Sequence, residues 1–313
     1  MPELPEVQTT VSGLKKVITG LKIKDVWTDF HKNSKHNNKK GSIKNPSYFK
    51  QFKKEISGKK ILNVKRRGKN ILINLSNKKT ILIHMKMTGH FLYGKYQYNK
   101  KEDSWESTEN GPLKDSFNRF IHFLITLSNG RHLAFSDMRK FGKIILIDDR
   151  DLSKHPDLKD LGPEPLDNSF ILKKFKERIF LKPNGKIKQV LIDQKIISGI
   201  GNIYADETLW KASIHPEEMV KNIPDKKLKD LFEAIKELLK KGVKLGGDST
   251  SDYRNIKGQK GNFQEDHKAY RQTGKKCQKR GCFGIIKRIV VGSRGTHFCP
   301  THQKLSNSKN NKK

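Results

Sequence analysis

The chain has 313 residues, which favours two domains over one, and its 34% apolar content suffices for modest cores but not a single large one. Its 66 Lys+Arg against 32 Asp+Glu leave a net charge of +34, far beyond what solubility needs, so a polyanion is the expected partner, with nucleic acid first. No apolar run approaches the ~18 residues of a membrane span, and no secretory signal leads the chain, so an intracellular protein with no membrane partner is expected.

The chain opens Met1-Pro2-Glu3-Leu4-Pro5-Glu6. Removal of Met1 would leave Pro2 with a free secondary amine. An α-amino group titrates near pKa ~8, so an appreciable fraction is neutral and nucleophilic at pH 7. A secondary amine that attacks a sugar aldehyde carbon gives an iminium directly, an electron sink for elimination. Glu3 stands beside it as a general acid or base. By itself a proline after Met is an ordinary N-terminus, and only the rest of the chain decides between the two readings. Val7, Val11, Leu14 and Ile18 follow at helical spacing and predict a helix from Pro5 that ends at Gly20. His31 to Lys44 is lysine-rich and reads as a loop.

Short β-like runs come next: Ile61 to Arg66, Asn70 to Leu75, Thr80 to Met85, Phe120 to Leu127, His132 to Phe135 and Lys143 to Ile147. Ser128-Asn129-Gly130 joins two of them with a hairpin signal. Lys95 to Ser116 is polar and reads as an excursion. The N-terminal half, 1–150, is therefore expected to be a β-sandwich with an attached helix, within an α+β multidomain chain. A connector over 151–167 contains Gly162-Pro163-Glu164-Pro165. A helical module over 168–264 follows. Its helices Ile187 to Gln194 and Asn202 to Lys211 flank the turn Ile197 to Gly201. A long amphipathic helix is entered at Pro224 and stopped at Gly246-Gly247. Asp248 to Phe263 is rich in Gly, Ser and Asp and reads as a mobile loop. A metal-binding finger over 265–303 and a disordered polar tail over 304–313 complete the chain.

Cys277-x4-Cys282, sixteen residues, then Cys299-x2-His302 supplies three thiolates and one imidazole, a closed tetrahedral set for one structural zinc. An odd number of cysteines in a reducing compartment fits metal better than disulfides. Gly199-Ile200-Gly201-Asn202 lies before a helix, where backbone N–H groups receive a phosphate. A Gly-x-Gly turn often merely connects helices, but the net charge favours the phosphate reading. Asp137 to Gly142 and His84 to Gly89 each set a bulky apolar residue beside cations at a strand end. Such residues are either core, or wedges that fill a duplex when a base is extruded.

Together these stretches resemble the bacterial formamidopyrimidine-DNA glycosylase and endonuclease VIII family. Pro2 to Val7, Arg67-Gly68-Lys69, Asp137 to Gly142, Leu161 to Leu166, Gly199 to Tyr204 and Arg294 to Pro300 match its motifs in order, over nearly the whole chain. The resemblance implies a β-sandwich, a helix–two-turns–helix module and a C-terminal zinc-finger hairpin, with DNA in a basic cleft between the halves. It implies a bifunctional glycosylase and abasic-site lyase for oxidised purines, acting as a monomer on damaged double-stranded DNA in the bacterial cytosol.

Carried over by position, Pro2 is the Schiff-base nucleophile and Glu3 its proton donor and acceptor. Lys69 and Arg294 contact phosphates during elimination. Met87, Arg139 and Phe141 fill the duplex and read the opposite base, Lys188 and Asn202 bind DNA, and Glu6 lines the lesion pocket. A same-family alternative is an oxidised-pyrimidine glycosylase, and a different class is a non-catalytic zinc-finger binder. Three departures stand out. His302 replaces a fourth Cys, the first Cys pair is spaced more widely than usual, and an expected DNA-contacting His falls on Phe120, with His122 nearby.

Overall fold

The structure is a computed structural model that describes residues 1–31 and 41–306. Most of the loop expected over 31–44 and most of the tail expected over 304–313 lie outside those residues. The chain divides into two compact units, Met1–Lys159 with Leu245–Gln264, and Asp160–Lys244 with Glu265–Lys313.

The first unit begins with helix α1 (Leu4–Ile18), strand β1 (Ile23–Thr28) and helix α2 (Pro46–Ile56). Strands β2 (Ile61–Arg67), β3 (Asn70–Leu75), β4 (Lys79–His84) and β5 (His90–Gly94) follow. A small hairpin, β6 (Tyr96–Asn99) with β7 (Ser104–Ser107), precedes β8 (Ile121–Leu127), β9 (His132–Ser136) and β10 (Lys143–Asp148). Two antiparallel sheets result, in the orders β1-β8-β9-β5 and β10-β4-β3-β2. Alternation dictates which faces meet. Ile71, Ile73 and Leu75 of β3, Ile81 and Ile83 of β4, and Phe123, Ile125 and Leu127 of β8 share one core with Val7, Val11, Leu14 and Ile18 of α1. This is the expected sandwich with its helix. The Asn129-Gly130 turn is present, with Gly130 at φ +77° and Leu127 N–H donating to Arg131 O at 2.9 Å.

Three elements of this unit depart from the sequence expectations. The polar excursion folds back as β6–β7, because the outer face of the β8–β9–β5 sheet is itself apolar. Leu92, Ile121, Leu124 and Ala134 pack with Tyr96, Trp105 and Trp27 there. At the end of the supposed polar loop, Ile43 joins the main core and the buried Lys44 donates to Lys140 O at 2.7 Å. The segment 245–264, which contains the loop expected as mobile over Asp248–Phe263 in the helical module, belongs to the β-sandwich unit. Ile256 enters its core, and Tyr93 N–H donates to Ile256 O at 2.8 Å.

The second unit holds α3 (Leu172–Ile179), α4 (Ile187–Ile192), α5 (Asn202–Ala212), α6 (Asp225–Lys244) and the hairpin β11 (Lys287–Val291) with β12 (Arg294–Phe298). α6 runs from Pro224 as its apolar period requires. Gly246 and Gly247, at φ +77° and +87°, terminate it in a conformation other residues rarely adopt. Glu207 of α5 is buried and accepts the backbone N–H groups of Lys268, Ala269 and Tyr270 at 2.7–3.2 Å, which fixes the approach to the hairpin. No helix among the described residues is long and apolar enough to cross a membrane.

Candidate active site and nucleic-acid surfaces

Pro2 and Glu3 are buried at the mouth of α1. Glu6, one turn on, accepts the Glu3 N–H at 2.6 Å through one carboxylate oxygen and the Asp248 N–H at 2.7 Å through the other. Tyr253 Oη donates to Glu6 O at 3.0 Å. The segment 245–264 is thus fastened to the turn that carries Pro2. Gly247 stands so close that a Cβ there would lie 2.9 Å from Glu6 Cγ. Burial pushes the Glu6 carboxyl up to about 7, the neighbouring Glu3 charge adds to this, and the two backbone donors pull the other way. The site therefore holds a carboxyl poised to exchange a proton near neutrality.

Lys69 sits in the two-residue turn between β2 and β3, where Arg67 pairs with Asn70 and Gly68 takes φ +55°. Such a turn needs left-handed residues, and Gly68 provides one. Lys69 is buried, and it helps keep His84 of β4 neutral: burial first, then the charges of Lys86 and Lys69, lower that imidazole to about 3. The neutral ring accepts the Lys86 N–H on Nδ1 at 3.0 Å. The sequence motif contained His84, but only the pairing of β3 with β4 puts it beside Lys69.

Met87, Arg139 and Phe141 are all exposed, Met87 at 40% and Phe141 at 41%. Two strained turns present them, with Lys86 at φ +57° and Lys140 at φ +51°. A bond from Thr88 Oγ1 to Asp137 ties the turns together. Asp137 also accepts the Gly142 N–H at 2.6 Å, and Arg139 N–H donates to Thr88 Oγ1 at 3.2 Å. A side chain on Gly89 or Gly142 would strike the Phe135 ring. The Arg139 guanidinium lies 4.4 Å from the Phe141 ring centre. Exposed apolar groups held this rigidly suit a wedge better than a core. Phe120 carries Arg119 over its ring at 5.0 Å. His122 is held by Asp29 at 2.9 Å, and Lys140 joins that carboxylate at 3.0 Å.

In the second unit, Asn202 opens α5 after the turn containing Gly199 at φ +90°. Its Nδ2 donates to Gly295 O of the hairpin at 3.0 Å, which leaves one amide proton for another acceptor. Lys188 is expected from the resemblance to bind DNA. It is fully buried, paired with Asp206, and donates to Asn202 O at 3.0 Å. Asp206 also accepts the His297 N–H at 2.9 Å. A buried ammonium needs such partners, so Lys188 positions Asn202 from below. Arg294 is exposed at the hairpin tip, beyond Gly292 and Ser293 at φ +55° and +62°.

The ligand atoms of Cys277, Cys282, Cys299 and His302 all lie within 4.8 Å of one another. The Cys282–Cys299 sulfur separation is 3.6 Å, and His302 Nδ1 stands 3.5 Å from the sulfurs of Cys277 and Cys282. Thiolates at about 2.3 Å from a tetrahedral ion are separated by about 3.8 Å, so the group fits such an ion. The surrounding shell is also suited. Trp210 Nε1 donates to Cys277 Sγ at 3.3 Å, and His302 Nε2 lies 3.2 Å from Trp210 O, which turns Nδ1 toward the thiols. This group of four can hold a metal ion with no position left for substrate.

The chain is similar to known proteins over nearly its whole length. Residues 1–144 match the Formamidopyrimidine-DNA glycosylase N-terminal domain, and residues 161–254 match the Formamidopyrimidine-DNA glycosylase H2TH domain. The formamidopyrimidine-DNA glycosylase of Pelotomaculum thermopropionicum is 37% identical over 97% of this chain and 100% of its own length. That of Bacillus subtilis is 33% identical over 96% of this chain and 98% of its own. Among solved structures, Lactococcus lactis Fpg in complex with DNA containing an abasic site superposes with a TM-score of 0.78 at 32% identity, covering 96% of this chain and 99% of that one. The wild-type protein of the same organism, complexed with DNA containing N7-benzyl-Fapy-dG, also superposes at 0.78 and 32% identity, covering 97% of this chain and 100% of that one.

Proposed function

Because this chain belongs to the formamidopyrimidine-DNA glycosylase family, we propose that it removes oxidised purines, chiefly 8-oxoguanine and formamidopyrimidines, from duplex DNA and then cleaves the strand at the resulting abasic site. The observation that carries this reading is the buried turn at the start of α1, where Pro2 and Glu3 sit beside the buried Glu6, which accepts the Glu3 N–H. With Met1 removed, the Pro2 nitrogen attacks C1′ of an extruded nucleotide. The N–C1′ bond forms as the bond to the base breaks, and the base leaves with a proton. Glu3 protonates the ring oxygen, and ring opening gives the iminium. Loss of a C2′ proton then expels the 3′ phosphate, and a second elimination expels the 5′ phosphate, leaving a one-nucleotide gap.

Lys69 meets the phosphate near the first scission and Arg294 the phosphate of the second. Asn202 holds the backbone at the head of α5, with Lys188 fixing it. Met87 and Phe141 occupy the space of the extruded base, and Arg139 pairs with the opposite cytosine. Glu6 lines the lesion pocket. Zinc held by Cys277, Cys282, Cys299 and His302 is structural. The protein acts as a monomer on DNA in the bacterial cytosol.

Parallel cleavage of duplexes carrying 8-oxoguanine, thymine glycol or an abasic site tests this. Cleavage of the first and third is expected. A preference for thymine glycol would move the protein to the oxidised-pyrimidine branch. Binding without cleavage of any duplex would make it a non-catalytic binder.

A further inference from the structure

Arg254 is the largest side chain buried to below 2% exposure among the described residues, and none of the roles above uses it. It belongs to the segment 245–264, whose Gly246, Gly247 and Gly258 all take positive φ. A glycine-rich backbone loses more freedom on ordering than others, so this segment holds one shape only where side chains hold it. Arg254 supplies that hold. Its guanidinium faces both oxygens of Asp115 at 3.4 Å and lies 4.7 Å from the Phe117 ring centre. Its Nη1 donates to Tyr253 O at 2.9 Å and Ser251 O at 3.1 Å, so the same group also pins the loop's own carbonyls.

Asp115 is itself fixed, because it accepts the Phe117 N–H at 2.9 Å, and Ser136 Oγ of β9 donates to Phe117 O at 2.9 Å. Asn118 adds a second tie, with Nδ2 donating to Gly258 O at 3.2 Å and Pro112 O at 2.8 Å. Its amide protons being committed, Asn118 Oδ1 must accept from His90 Nε2 at 2.8 Å. The middle of the segment thus rests on the sandwich through Arg254, and its start delivers the Asp248 N–H to Glu6.

We propose that Arg254 is a positioning residue for base recognition: its pairing with Asp115 and its stacking on Phe117 hold the 245–264 segment in the arrangement that seats Asp248 on Glu6. This rests on the reading of Glu6 as part of the lesion pocket. The segment touches the lesion side of the site through Glu6, whereas the sugar chemistry belongs to Pro2 and Glu3. Loosening it should therefore slow removal of the base while sparing cleavage of a site where the base is already gone.

The test uses the full chain with Arg254→Ala, Arg254→Lys and Asp115→Asn. Single-turnover rates at saturating enzyme are measured on duplexes carrying 8-oxoguanine or a preformed abasic site, with backbone hydrogen exchange followed over 246–262. Arg254→Ala and Asp115→Asn are expected to lower 8-oxoguanine excision about 10-fold or more, with abasic-site cleavage within about 3-fold of wild type. Arg254→Lys should recover part of the loss, and exchange over 246–262 should quicken while the strands of the sandwich stay protected. Equal losses on both substrates, or no loss on either, would overturn the proposal. Unchanged exchange in both charge-removing variants would overturn it whether or not the wild-type protein excises 8-oxoguanine. A wild-type protein inactive on both duplexes counts against the proposed function alone.

Discussion

Glu6 answers two backbone N–H groups with a single carboxylate, while burial and the charges of Glu3 and Asp248 oppose its ionisation. Its folded pKa of about 7 lies above the ordinary 4.5. Between those values the folded protein binds a proton that the unfolded chain has released. Stability therefore falls as pH rises through this window and is level above it, by at most about 3 kcal/mol for this group. Denaturant unfolding between pH 4.5 and 8 should show that slope in the wild type and a flatter one in Glu6→Gln. Identical slopes would mean that Glu6 titrates normally. Lys188 makes a different point at this scale. The family resemblance assigned it to DNA binding. What the sequence could not display is Asp206, eighteen residues on, which takes up its ammonium inside the helical unit.

The legible elements were the short apolar runs and the helical repeats. β3, β4 and β8 are runs of Ile, Leu and Phe bounded by polar or turn residues, and α1 and α6 repeat at helical spacing because each buries one face. α2 carries a weak sequence signal because it buries only Phe52 and Ile56 amid lysines, although Asn45 caps it by accepting the Tyr48 N–H at 2.9 Å. The β6–β7 hairpin is short and polar, and its reason for folding is an apolar sheet face formed by distant residues. The placement of 245–264 was hidden likewise, since Arg254 and Asp115 lie 139 residues apart. The Cys and His spacing, by contrast, announced its cluster directly, and the four ligand atoms do converge. Elemental analysis should find one zinc per chain, and chelation should weaken DNA binding while leaving the unfolding of the β-sandwich unit nearly unchanged, because the cluster lies wholly in the other unit. Active protein without zinc would refute that assignment.

For the molecule as a whole, a net charge of +34 makes binding to any duplex favourable and strongly dependent on salt. Charge alone therefore does not separate a repair enzyme from a general DNA binder. What separates them is the chemistry proposed for the start of the chain, which demands that Pro2 become the terminal amine. Borohydride reduction of the protein on abasic-site DNA, followed by mass spectrometry of the digested adduct, measures this directly. The expected result is a single covalent link at the Pro2 nitrogen, absent when an N-terminal extension blocks that amine. A stable adduct on a lysine such as Lys69, or one that persists in the blocked protein, would contradict the assignment of the nucleophile and the mechanism built on it.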